Sequence, residues 1–408
     1  MALDIAAGVF AAPVAVGPFS VVGTGFMPKA LILAAPNVIP FGPIPTKYDS
    51  FGMAASPTER AAVCGHCLGG VFVSNTSSGH SETDVLLSRT NAIVNKQADF
   101  TSFDANGFTL TFSVADGNPW HGYSYLALGG ADLTNVTVQR LSTPIVPGPV
   151  SYVGFGFRPT GCMLFSINTF LSTFVPSVAG YQVGLGMSDG TTQRSLANAS
   201  RNGALGAACR RIMRTTDTIN VLSAGGLVDV LRASMTSFDA DGLTLTYSVT
   251  PAVFPRSVYC LAWSGPQFTV GAGTAPVAPG IKAFTGAGFS PLGFFQFNNG
   301  TSLIDAPIID AISDFGITDG VAEADSYGSD DDGASPTVNY RALSVARTFV
   351  RRDAATGLTV QDAAFSSLDA DGCSLSFLTS DGIARRIAFG YFGNAPSIGN
   401  ALPWVAGL

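Results

Sequence analysis

Histidine and charge are both scarce in this chain. Three histidines in 408 residues leave little material for general-base chemistry, and charged residues make up only 12 %. Disorder requires high charge and low hydrophobicity, whereas 47 % of this sequence is hydrophobic, so the chain must bury a core. Six cysteines are too few for a disulfide framework in a chain this long. No stretch has the length and apolar density of a membrane span, and Asp4 stands where a secretory signal would carry positive charge. A net charge of −7 gives no general reason to bind nucleic acid. The sequence has no G-x-S-x-G elbow, no H-E-x-x-H and no phosphate loop, and we read it as non-enzymatic with no cofactor.

Glycine (47) and phenylalanine (29) are abundant, and they recur in order. Gly25-Phe26-Met27-Pro28, Gly156-Phe157-Arg158-Pro159 and Gly288-Phe289-Ser290-Pro291 form one signature at spacings of 131 and 132. Phe51-Gly52-Met53, Leu185-Gly186-Met187 and Phe315-Gly316-Ile317 follow it. A third mark comprises Phe103-Asp104-Ala105-Asn106-Gly107, Phe238-Asp239-Ala240-Asp241-Gly242 and Leu368-Asp369-Ala370-Asp371-Gly372. Three marks in one order at one period predict three tandem homologous domains of about 130 residues. The Pro/Gly-rich segments at 144–149 and 271–280 are taken as the joins. This gives an N-terminal segment (1–15), read as an arm or as a strand donated to a neighbour, and repeats at 16–146, 147–276 and 277–408.

After each third mark, apolar and small polar residues alternate, as in Phe108, Leu110 and Phe112 with Thr109 and Thr111 between them. This predicts a half-buried strand, with the Asp-Ala-Asn/Asp-Gly segment as the turn of a hairpin and its acid bonded to the backbone two residues on. Phe103, Phe238 and Leu368 are expected to be buried beside that turn. Six to eight strands per repeat would make an all-β sandwich or flattened barrel. The best helix candidate is 202–214, weakened by Gly203 and Gly206.

Local motifs carry less. Cys64-Gly65-His66-Cys67 has zinc or redox spacing but no second ligand pair, and reads as a strand with incidental thiols. The Asp-x-Asp/Asn-Gly turns lack the closing acid of a calcium loop, so no metal is assigned. Asp330-Asp331-Asp332-Gly333 reads as a solvated loop rather than a cation site. A glycan-binding module would want exposed aromatics, and the tryptophans Trp120, Trp263 and Trp404 do not all fall at equivalent positions. Charge differs between the copies: six basic and eight acidic residues in 15–146, eight and five in 147–276, seven and fourteen in 277–408. Arg201, Arg210, Arg211 and Arg214 concentrate the positive charge of the middle repeat and form a candidate protein interface.

The G-F-x-P signature and S-F-D-A-[DN]-G-[FL]-T-L-T-[FY], followed by Tyr125-Leu126-Ala127-Leu128-Gly129-Gly130, resemble structural proteins of tailed bacteriophages. The third copy departs from the pattern at Cys373-Ser374. The resemblance implies a non-catalytic virion protein in a multicopy assembly, decorating or cementing the head against a major capsid protein. A neck or tail component, or a receptor- or glycan-binding virion module, is the alternative.

Overall fold

The computed structural model describes residues 2–36, 44–90, 93–118, 121–170, 172–225 and 227–396. All regular structure among them is β: thirty-three strands in three seven-stranded and three four-stranded antiparallel sheets. No helix forms over 202–214. That segment is a loop leading into the strand Cys209–Arg214, as two positive-φ glycines dictate.

The first strand set comprises β1 (Leu3–Ala11), β2 (Gly17–Val22), β3 (Pro28–Ala35), β4 (Ile44–Pro45), β5 (Lys47–Ser56), β6 (Glu59–Cys67), β7 (Thr76–Ser81), β8 (Leu86–Thr90), β9 (Ile93–Asp104), β10 (Gly107–Ala115) and β11 (Gly122–Gly130), all but β4 forming the first sandwich. Its large sheet runs β1-β11-β3-β5-β6-β7, and its small sheet β2-β10-β9-β8. The strands from Asn135–Ser142 to Arg256–Ser264 repeat this order, and so do those from Gln267–Thr274 to Arg386–Gly393.

The first residues are therefore not an arm. Leu3–Ala11 pairs along its whole length with Gly122–Gly130, as Asn135–Ser142 does with Arg256–Ser264. The segments read as joins lie inside sandwiches, where the chain passes from an edge of the large sheet to an edge of the small one. The crossings between sandwiches are the short turns after Gly130 and Ser264. Each strand set has eleven strands rather than six to eight.

The seventh strand of each large sheet comes from another set. Phe174–Ala179 pairs with β7, Ile308–Ile309 pairs with Cys209–Arg214, and β4 pairs with Asn339–Ser344. The second set completes the first, the third completes the second, and the first completes the third. The exchange is cyclic.

This closure explains the hydrophobic patterning. Leu31 and Leu33 face the small sheet, while Ile32 and Ala34 face a central core shared with the other two large sheets. With both faces covered, Ala30–Ala35 is a continuous apolar run, all buried. Phe51 packs against Phe165 and Phe315 at ring distances of 5.6 and 5.8 Å, joining all three sets.

The middle signature marks where the two layers of each sandwich touch. A Cβ on Gly52, Gly186 or Gly316 would lie 1.8, 1.6 or 1.8 Å from the carbonyl oxygen of Val85, Thr218 or Thr348. Only glycine admits that approach, and its neighbours Phe51 and Met53 point the other way into the central core.

Candidate functional site

The first and third signatures are partners. Gly25, Gly156 and Gly288 each donate their N–H at 2.6 Å to the side chain of Asn106, Asp241 or Asp371. The strand-entry loop is thereby tied to the hairpin turn. Gly107, Gly242 and Gly372 have φ of 150, 144 and 143°, and a Cβ there would strike the neighbouring strand's carbonyl at about 2 Å. Pro28 opens its strand, and Pro159 and Pro291 stand two residues before theirs, as a residue without an N–H should.

The turn acids do not bond the backbone as expected. Asp104, Asp239 and Asp369 each accept from two hydroxyls, those of Ser102 and Thr109, Ser237 and Thr244, and Ser367 and Ser374, at 2.6–2.7 Å. These bonds hold the Asp239 carboxyl below its ordinary pKa. Of the three residues expected to be buried, only Phe238 is; Phe103 and Leu368 are half-buried. Phe26 and Phe289 lie over Gly129 and Gly393, while Phe157 packs against the core of the second sandwich.

The arginine cluster is largely consumed inside the chain. Arg210 pairs with Asp332 at 3.1 Å, Arg211 with Asp310 at 3.2 Å, and Arg214 with Asp229 at 2.5 Å. The partners of Arg210 and Arg211 belong to the third strand set, so the basic set meets the acidic one within one molecule. Arg201 remains exposed.

Cys64 and Cys67 are three apart on one strand and point to opposite faces, Cys64 toward Leu87 and Cys67 into the central core. Burial pushes the Cys64 thiol up to about 12. Among the described residues, no group of three or more His, Cys, Asp or Glu could hold a metal ion. Asp330 is not in a solvated loop: it ends a strand, is 1 % exposed, and burial raises its carboxyl to about 6. Trp263 is fully buried, and Trp120 and Trp404 lie outside the described residues.

Where the three sets meet, the core turns polar. Lys47, fully buried, lies 3.5 Å from Asp49, donates to the Ala311 carbonyl at 3.1 Å, and sits 4.1 Å from the Tyr181 ring centre. Asp49 accepts from the hydroxyls of Tyr181 and Ser313 (2.7 Å for Ser313). Burial and the Asp49 carboxylate raise the Tyr181 phenol, which keeps its proton and donates it. Lys47 and Asp49 of the first set thus bind Tyr181 of the second and Ala311 and Ser313 of the third. Sequence reasoning missed this cluster, although aligning the copies on the middle signature stacks Lys47 with Tyr181 and Ala311, and Asp49 with Val183 and Ser313. Its burial and cross-set bonds suit it to holding three sandwiches in register.

Beyond this cluster, loops 68–75, 201–208 and 331–338 knit together. Gly206 donates to the Phe72 carbonyl at 2.9 Å, Ala207 to Ala334 at 2.9 Å, and Thr337 to Val71 at 2.8 Å. They close one end of the molecule and leave Phe72 (69 % exposed), Val73 (51 %) and Leu205 (90 %) facing outward. A recess of about 610 Å³ beside the second hairpin turn is lined by Arg158, Asp189 and the hydroxyls of Thr160, Thr191 and Thr236. The sequence matches no protein-family model and no curated protein.

Proposed function

We propose that the chain is three copies of one domain fused into a closed pseudo-threefold unit, serving as a non-enzymatic structural subunit of a virion. The role that fits best is decoration or cementing of the head, with a major capsid protein as the partner and many copies per particle. The cyclic exchange of strands carries this reading. It fixes the three sandwiches against one another, as a rigid clamp on several neighbours requires and a set of swinging modules would not.

The knitted loops around Phe72, Val73 and Leu205 support it, because an apolar end of this kind is what an assembly covers. The buried polar cluster supports it too, since Lys47, Asp49 and Tyr181 are spent on register and are closed to solutes. The resemblance of the signatures to those of tailed-phage structural proteins points the same way. A reconstruction of particles containing this chain tests the proposal. Density over junctions between capsid subunits is the expected result, density confined to one vertex assigns the chain to the neck or tail, and absence from particles overturns it.

A further inference from the structure

A basic side chain occupies one equivalent place in all three sandwiches. His121, Arg256 and Arg385 each stand five residues before the residue that pairs with Ile32, Met163 or Phe295. Their carbonyls accept from Ala12, Thr143 and Ala275 in the same way. Two of the three have a carboxylate partner in the loop just before them. His121 lies 3.0 Å from Asp116, and Arg385 makes two bonds of 2.6 Å to Asp381.

The middle one, Arg256, has none. Thr250-Pro251-Ala252-Val253-Phe254-Pro255 replaces the acid-bearing loop, and no carboxylate among the described residues pairs with Arg256. Its guanidinium is held in place, Nε donating to Asn168 Oδ1 at 2.8 Å and Nη1 to the Phe254 carbonyl at 3.0 Å. It stacks 4.7 Å from the centre of Phe170. Phe170 and Phe254 meet edge to face at 5.3 Å, yet each is more than half exposed. An oriented guanidinium stacked on one of two touching, exposed aromatic rings combines the anchor types that dominate protein interfaces, and its charge lacks only an acid.

We propose that Arg256, Phe170 and Phe254 form a docking site for a partner protein presenting an Asp or Glu carboxylate flanked by apolar side chains. The carboxylate takes the place that Asp116 and Asp381 fill in the other sandwiches, and the apolar flanks cover the two rings. The site stands on its own geometry and does not depend on the virion assignment.

Titration of the intact chain with the peptide Ac-Phe-Glu-Leu-NH2, followed through the arginine Nε–H resonances, tests it. Ac-Phe-Gln-Leu-NH2, glucuronate and an oligothymidylate serve as competing probes. The glutamate peptide should move the Arg256 resonance and bind about tenfold more tightly than the glutamine peptide. Arg256→Gln and Phe254→Ala should each abolish the response, whereas Arg201→Gln should leave it intact. Phe254→Ala keeps the guanidinium and decides the matter if Arg256→Gln fails to fold. Equal binding of the two peptides, no binding of either, or tighter binding of glucuronate or the oligonucleotide at Arg256 would overturn the proposal.

Discussion

The second and third sandwiches share one strand order but not one interior. Where the second has Leu164, Gly184, Ser195, Ala197 and Val221, the third has Gln296, Asp314, Asp325, Tyr327 and Arg351 at the matching positions. All ten lie in a buried interior. Several of the third sandwich's polar groups bond to one another: Gln296 donates to Asp314 at 2.7 Å, and the Val350 N–H serves both Asp314 and Asp325 at 3.2 and 3.0 Å. What the two share is the glycine under a carbonyl and the Gly-to-Asp bond at the hairpin turn. Those backbone contacts specify the fold, and the side chains between the layers are free to diverge.

The largest expected effect breaks both sandwiches alike. Gly186→Ala and Gly316→Ala each drive a methyl into a backbone carbonyl and should cost more than about 4 kcal/mol, read as loss of the cooperative unfolding transition. A mild effect in either would show that side-chain packing sets the layer spacing. Lys47→Met leaves Asp49 buried without its cation, and should cost about 3 kcal/mol by denaturant titration in a transition that includes all three sets.

Phe238→Ala and Leu368→Ala sharpen the contrast between the two hairpin turns. Phe238 closes over Gly190 and is buried, so its loss should cost about 3 kcal/mol, against roughly half that for half-buried Leu368. The pH response should also separate the interiors. Burial raises the Asp314 carboxyl to about 6, and burial together with Asp314 raises Asp325, with Arg352 pulling Asp325 the other way. Folded carboxyls that hold protons more tightly than unfolded ones lose stability as pH rises through the folded value. The wild type should lose about 2 kcal/mol between roughly pH 4 and pH 8, and Asp325→Asn should flatten that slope.

The all-β class, the hairpin after each third signature and the strand after each Gly-Phe-x-Pro were legible because each depends on local alternation and turn chemistry. The cyclic exchange was not. Ile44–Pro45 and Ile308–Ile309 are two-residue strands with no periodicity to read, and Phe174–Ala179 carries a proline in its middle. Leu3–Ala11 was misread as an arm because the first signature begins after it, although its pairing makes it the edge of the sheet. The arginine cluster was visible, but apart from Asp217 beside Arg214 its partners lie about 15 to 120 residues away and only the fold brings them together. Arg256 went unremarked because its meaning lies in an acid that the two equivalent loops have and its own lacks.

The central claim is that the first and third strand sets close a ring through pairing that no peptide bond enforces. The direct measurement is a double variant, Pro45→Cys with Tyr340→Cys, two residues that face each other across that seam. A protease site placed in the loop at 144–147 then reports whether the halves are joined. After oxidation and cleavage, the account predicts one disulfide-linked species per molecule that separates only on reduction. Two free fragments, or disulfide-linked dimers of intact chains, would contradict it.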